Sequence, residues 1–191
     1  LLKGYAGTGK TTLVSALINT LPKIKKRSLL LAPTGRAAKV LAGYSGQPAY
    51  TIHKKIYRLY TRKDGSMKIT LNKNMHKNTL FFVDEASMIP DRSTDSKGFA
   101  QHSLLDDLVE YVYSGENCKM ILIGDTAQLP PVGLTISPAL DQDFLKSTYS
   151  LDLFTDELTE VVRQKQSSGI LTNATQLREK IEVEDFDYPF F

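Results

Sequence analysis

Thiols are almost absent, since Cys118 is the only cysteine in 191 residues. A lone thiol excludes disulfides within the chain and metal sites built from clustered cysteines. Its place just before the apolar run Met120 to Ile123 predicts an ordinary core residue. This thiol usage suits a reducing compartment, so a cytoplasmic location is expected. Long hydrophobic runs are missing too. The stretch from Thr126 to Phe144 is broken by Asp141 and Asp143 and holds Pro130, Pro131 and Pro138, which excludes a bilayer-spanning helix and argues against a membrane partner. No signal-peptide pattern and no internal repeat is evident. Residue 1 stands three positions before a glycine loop, so the chain is expected to begin partway into an element, as a trimmed fragment would.

What is present is the composition of a folded domain, with 41% hydrophobic and 24% charged residues. The length fits a single domain on the scale of ~100 to 200 residues per domain. The net charge of +3 hides an uneven distribution. Between His53 and Lys77 there are eight Lys or Arg against Asp64 alone, a local charge of +7 that leaves −4 for the rest. Such density suits a surface facing a polyanion, although scattered lysines on a solvated loop are the plainer alternative.

Short apolar runs alternate with helical periodicity. Leu1 to Lys3 reads as the end of a buried strand, and Leu29 to Ala32, Leu80 to Val83 and Met120 to Ile123 as whole ones. Leu13, Val14, Leu17, Ile18 and Leu21 form one helical stripe that Pro22 stops, and further helices are expected near Arg36 to Leu41, over Leu104 to Val112 and from Ile170 to Ile181. Continuous apolar strands between amphipathic helices predict an α/β fold, a parallel sheet covered by helices on both faces. Two stretches break the pattern. Tyr57 to Asn72 predicts a small basic β-hairpin with its turn at Asp64-Gly65, and the polar stretch Pro90 to Ser103 predicts a loop.

Gly4-Tyr5-Ala6-Gly7-Thr8-Gly9-Lys10-Thr11 satisfies the phosphate-loop pattern in its required place between a strand and a helix. Glycines let the backbone amides turn inward on phosphate oxygens, the helix N-terminus adds partial positive charge, and Lys10 adds a full one. Gly4, Gly7, Thr8, Gly9, Lys10, Thr11 and Thr12 are therefore the candidate nucleotide-binding residues, with ATP and Mg²⁺ as cofactors. Asp84 and Glu85 end the Leu80 to Val83 strand. Beside a phosphate loop, Thr11 and Asp84 can hold Mg²⁺, the latter through water, and Glu85 can polarise an attacking water. Alone, the pair reads as a solvated strand end.

Five strings then share one order: Ala32-Pro33-Thr34-Gly35-Arg36-Ala37-Ala38, Thr51-Ile52-His53, Asp84-Glu85-Ala86-Ser87-Met88, Gly124-Asp125-Thr126-Ala127-Gln128-Leu129-Pro130-Pro131-Val132, and Leu158 to Gln164. In this the chain resembles superfamily 1B DNA helicases of the RecD/Dda branch, exodeoxyribonuclease V alpha-subunit-like proteins included. The resemblance implies the first RecA-like ATPase domain of a P-loop NTPase motor, moving 5′ to 3′ on single-stranded DNA and used in repair or recombination. It implies that Gln128 and Arg163 read the γ-phosphate, and with Lys10 and Glu85 these are the candidate catalytic residues. Thr34, Arg36 and His53 match positions lining a single-strand path, to which Lys54, Lys55 and Arg58 add charge. The hairpin, taken as residues 57–75, occupies the place of a pin that splits duplexes, and Tyr57 and Tyr60 could stack on bases.

Residues 1–191 then form one domain, and the missing second RecA-like domain is the expected partner, with nuclease or repair subunits as others. The aromatic end Asp187 to Phe191 is read as a partner surface exposed by truncation. Two rivals stay open here: a nucleotide-gated nucleic-acid-binding module without motor activity, and a phosphotransferase with a small acceptor.

Overall fold

The computed structural model describes residues 1–61, 65, 67–91 and 103–160, together with 173, 176, 177 and 180. Six strands form one parallel sheet: β1 (Leu2–Gly4), β2 (Arg27–Ala32), β3 (Ala49–Thr51), β6 (Thr79–Val83), β7 (Lys119–Gly124) and β8 (Asp156–Leu158). Their order is β3-β2-β6-β7-β1-β8, and every pairing is parallel. The helices are α1 (Lys10–Thr20), α2 (Gly35–Ser45), α3 (Ile52–Ile56), α4 (Leu104–Tyr113) and α5 (Gln142–Tyr149). None of the described helices is long and apolar enough to cross a membrane.

Both faces of the sheet are covered because successive strand residues point opposite ways. Leu29, Leu31, Phe81, Val83 and Leu122 pack with Ile52, Ile56, Leu105, Leu108 and Leu145, which come from α3, α4 and α5. Leu30, Phe82 and Ile123, the intervening residues, pack with Val14, Ile18 and Leu41 of α1 and α2. Each fully buried Leu, Ile or Phe contributes about 1.5–3 kcal/mol relative to leaving it in water. Cys118 is buried against this core, as expected.

The five-residue stripe expected on the first helix is narrower in the structure. Val14, Ile18 and Leu21 are buried, whereas Leu13 and Leu17 are 39% and 37% exposed. A helix lying on a sheet beside a second helix seals only one line of residues, and Leu13 turns instead toward the cleft described below.

The expected hairpin is present as β4 (Tyr57–Thr61) and β5 (Met67–Leu71), antiparallel with Tyr57 opposite Leu71 and Thr61 opposite Met67. Its connection is residues 62–66, longer than a two-residue turn. Gly65 has φ of 81°, the left-handed conformation that glycine accepts. The hairpin root is fastened to α4. Tyr57 donates its hydroxyl to the buried Asp107 at 2.5 Å. Asn74, also buried, donates to the carbonyls of Tyr111 and Val112 at 2.9 and 3.2 Å and accepts from the His76 amide at 2.9 Å. A side-chain amide thereby shares the last carbonyls of α4 with the Ser114 hydroxyl on Tyr111 and the Gly115 amide on Val112.

Most of the loop expected over Pro90 to Ser103 lies outside the described residues, as do Arg163 and residues 187–191. Of the helix expected from Ile170 to Ile181, Asn173, Gln176, Leu177 and Lys180 are described, and all four are helical.

Asn74→Ala should lower unfolding free energy by about 1–3 kcal/mol, the scale of losing its buried hydrogen bonds to Tyr111, Val112 and the His76 amide. Urea denaturation reads this as a shifted midpoint with an unchanged slope. A loss below about 0.5 kcal/mol would show that the Asn74 bonds do not hold the hairpin root.

Candidate functional site

Ligands of parallel sheets sit beyond the carboxyl ends of the strands, and here three such ends converge. Residue 4 ends β1 between its neighbours β7 and β8. A Cβ there would lie 2.8 Å from the Thr8 hydroxyl and 2.9 Å from the Leu158 carbonyl, so only glycine fits. The loop then curls through Gly7 and Gly9, with φ of 85° and 90°. Thr8 is buried and donates its hydroxyl to the Tyr5 carbonyl at 2.8 Å. Gly9 opens α1, and no side chain caps that helix end. Its amides and positive dipole end therefore face the cleft as an anion-binding surface. Lys10 is folded inward, its ammonium donating to the Gly4 carbonyl and, at 2.8 Å, to that of Tyr5.

Asp84 and Glu85 follow β6, two positions across the sheet from β1, with β7 between. They share with the loop a cleft of about 890 Å³ that also takes in Thr11, Thr12, Asp125 and Gln128. Glu85 adopts the left-handed conformation, φ 54° and ψ 39°, sparsely used by non-glycine residues. Burial holds its carboxyl above the ordinary carboxylate range, and the charges of Asp84 and Asp125 add to this. Lys10 and a hydrogen bond with Gln128 act the other way. Gln128 also accepts from the Ser87 hydroxyl at 3.3 Å. The amide thus spans the carboxylate and the segment after it, as a group that exchanges partners would.

The donor set fits Mg²⁺. Thr11 offers a hydroxyl and Asp84 a carboxylate, hard oxygen ligands on the cleft wall. Magnesium keeps most of its waters and takes one or two carboxylates plus substrate phosphates rather than a protein cage. No cluster of three or more His, Cys, Asp or Glu suited to a metal occurs among the described residues.

The strand-path candidates lie at the other end of the sheet. β2 and β3 are neighbours, so Thr34 and Arg36 after one fall beside His53 and Lys54 after the other. Thr34 caps α2 by accepting from the Ala37 amide at 3.2 Å, and Arg36 is exposed. His53 stacks at a tilt on Tyr57, 5.7 Å between centroids, and partial burial lowers its pKa. It is thus more often neutral than a free imidazole at neutral pH, offering a hydrogen bond rather than a charge. Lys54 is exposed, while Lys55 leans over the Tyr50 ring, 5.5 Å from its centroid. Arg58 and Tyr60 share one face of the hairpin with Lys68 and Thr70.

Two participants received no role from the sequence, Asp125 although it lies within the Gly124 to Val132 string, and Tyr44 outside any string. Asp125 is 4% exposed and accepts from the Ala127 amide at 2.9 Å. Tyr44 donates its hydroxyl to Asp84 at 2.7 Å. Nothing in the spacing marks a tyrosine late in α2, since the contact is made by the sheet.

A glycine loop springing from an inner strand and facing strand-end carboxylates across one intervening strand defines a P-loop nucleotide-binding domain of RecA-like build. Residues 1–187 match the family model described as AAA domain, and the chain belongs to that family, as a RecA-like domain of the superfamily 1B helicase type. It is 31% identical over 181 residues to the ATP-dependent DNA helicase dda of Enterobacteria phage T4, covering 93% of this chain and 37% of that protein. Over 131 residues it is 33% identical to the ATP-dependent RecD2 DNA helicase of Deinococcus radiodurans, covering 69% of this chain and 16% of the relative. The chain therefore spans well under half the length of these relatives. In fold it is similar to the Pif1 helicase of Candida albicans (TM-score 0.59, 24% identity, 93% of this chain and 40% of that one). It is similar also to Bacteroides sp Pif1 in complex with ADP-AlF4 (TM-score 0.55, 21% identity, 97% and 42%).

A carboxyl whose folded-state pKa is raised destabilises the fold while ionised and stops doing so once protonated. Glu85→Gln should therefore raise the melting temperature at about pH 7–8 and lose that advantage as pH falls through the ordinary carboxylate range. A gain of equal size at about pH 3 would assign the effect to packing, not charge.

Proposed function

We propose that this chain is the ATP-binding motor domain of an ATP-dependent DNA helicase or translocase, coupling ATP hydrolysis to movement along single-stranded DNA. The observation that carries the reading is the convergence of the phosphate loop, the Asp84-Glu85 pair and Gln128 on one cleft. A module that only binds nucleotide has no need of a base such as Glu85 held against a glutamine.

In this reading the amides of the loop and the α1 N-terminus cradle the phosphates, and Lys10 leaves its carbonyl partners to neutralise the β- and γ-phosphates. Thr11 and Asp84 hold Mg²⁺, which when bound offsets the charge developing on the phosphoryl oxygens. Glu85 orients the attacking water. Gln128 reads the γ-phosphate, and we assign Arg163 to the same task from this domain. Thr34, Arg36 and His53 hold the strand, with Lys54, Lys55 and Arg58 supplying charge near the hairpin, which parts the duplex. The names of the T4 and Deinococcus relatives support DNA as the polymer and ATP as the fuel.

Resemblance alone supports the finer proposals: movement from 5′ to 3′, a cytoplasmic location, a role in repair or recombination akin to exodeoxyribonuclease V alpha, and association with nuclease or repair subunits. A second RecA-like domain of the same protein is proposed to close the cleft. An arginine delivered across such an interface is worth roughly 10³ to 10⁵ in rate, so the chain alone should bind ATP yet turn it over slowly.

Lys10→Ala is expected to abolish Mg-nucleotide binding in calorimetric titration while the circular dichroism spectrum stays native. Unchanged affinity would remove the nucleotide from this loop.

Binding of a single-stranded oligonucleotide should weaken with salt at a log-log slope of about −0.7 per phosphate contact, or about −2 to −3 for three or four contacts. Neutralising Lys54, Lys55 and Arg58 together should flatten it. A salt-independent affinity would leave the basic cluster as a solvated face.

A further inference from the structure

Asp84 is held from two directions. Its Oδ1 accepts the amide of Glu85 at 3.0 Å. Its Oδ2 accepts the hydroxyl of Tyr44, half-buried in the last turn of α2, at 2.7 Å. A carboxylate offers about four lone-pair sites, so both oxygens keep acceptor capacity toward the cleft, now in a fixed plane. Tyr44 is itself anchored. Its carbonyl accepts the Ser15 hydroxyl at 3.3 Å, which ties the same turn of α2 to α1 one turn beyond Thr11.

The other end of α2 belongs to the strand-path group, where Thr34 is the cap and Arg36 lies in the first turn. Ten residues of helix separate Thr34 from Tyr44, about 15 Å at the helical rise. One short, straight element therefore touches the proposed DNA path at its start and the proposed magnesium carboxylate at its end.

We propose that Tyr44 is a positioning residue for Asp84: its hydroxyl sets the orientation in which that carboxylate receives hydrated magnesium, and it makes that orientation answer to α2. The inference rests on the nucleotide reading above and assigns the site a means of regulation by the bound strand. With the hydroxyl removed, Asp84 keeps one of its two protein donors and can rotate about its side-chain bonds, so part of the ordering falls to the incoming ion. Coupling of this kind is reciprocal, so a strand that shifts α2 changes magnesium affinity, and magnesium changes strand affinity by the same factor.

The test is Tyr44→Phe, which deletes one oxygen. ADP binding is titrated calorimetrically in EDTA and again across a magnesium chloride series, with and without saturating single-stranded oligothymidylate. Binding in EDTA should match wild type, while the magnesium concentration giving half the effect rises about ten-fold, the scale of losing a partner behind a metal ligand. Oligothymidylate should shift that half-point in wild type and not in the variant. In an Asp84→Ala background the same substitution should change nothing, because Tyr44 acts only through that carboxylate.

An unchanged magnesium half-point overturns the proposal, and so does an equal loss in EDTA and in magnesium, which would mean that the ring merely packs the cleft. Equal oligothymidylate shifts in both proteins overturn the link to α2. If Tyr44→Phe fails to fold, Tyr44→His, which keeps a ring donor, is read by the same contrast: a magnesium-specific change supports the proposal and a uniform one overturns it. A wild-type chain that binds no ADP even in EDTA would overturn the nucleotide reading itself, a result distinct from all of these.

Discussion

Between β7 and β8 there is room for a backbone at residue 4 but not for a Cβ, and the arrangement of the cleft follows from that tight fit. With Gly4 held against the Leu158 carbonyl and the Thr8 hydroxyl, the chain leaves the sheet at one point and in one direction. The next five residues must then turn back into a helix. Gly7 and Gly9 supply the left-handed backbone for that turn. Because the strands are parallel, the loops after β6 and β7 emerge on the same side. A phosphate-sized space, a pair of carboxylates and an amide are thereby assembled from three segments, at residues 4–11, 84–85 and 128, that are distant from one another in sequence.

The carboxylates of the cleft so formed repel one another, and Glu85 registers that repulsion. Among the described residues, Asp84, Glu85 and Asp125 line the cleft with Lys10, whose ammonium also donates to backbone carbonyls of its own loop. Asp125 is buried and accepts the Ala127 amide, and its charge still bears on Glu85. Asp84 is held by two donors. Glu85 combines burial and the repulsion of its neighbours with a left-handed backbone, and it is the residue proposed to orient the water. Strain and a raised pKa at the same residue form a coincidence characteristic of functional groups.

How much of this could be read from the sequence depended on where burial is complete. The four strand runs and their polar ends were legible because central parallel strands are apolar throughout, and the phosphate loop because its geometry admits few residues. The edge strands β3 and β8 were not. Ala49-Tyr50-Thr51 and Asp156-Glu157-Leu158 carry no apolar run, since an edge strand is half solvated and is recruited by its neighbour's hydrogen bonds. Leu13 and Leu17 had the right spacing for the core and faced elsewhere, because periodicity gives a direction but not the width of the surface waiting there. Tyr44 and Asn74 were invisible for a further reason. Each is a polar side chain whose partner lies about 40 residues away, at distances of 40 and of 37 and 38 positions, and only the fold brings them together.

The root of the hairpin also bears on how such domains diversify. Asn72 donates its amide to the Ile56 carbonyl at 2.6 Å, so the chain enters and leaves the hairpin through a closed gate. Tyr57 and Asn74 bolt that gate to α4 from either side. Of the described strand residues between the bolts, Leu71 still packs against the core, while Arg58, Leu59, Tyr60 and Lys68 are exposed and can change their surface chemistry at little cost to it. The hairpin is in this sense an exchangeable tool on a fixed mount: variation at its exposed residues alters the surface it presents, whereas variation at Tyr57, Asn74 or Asp107 loosens the mount itself.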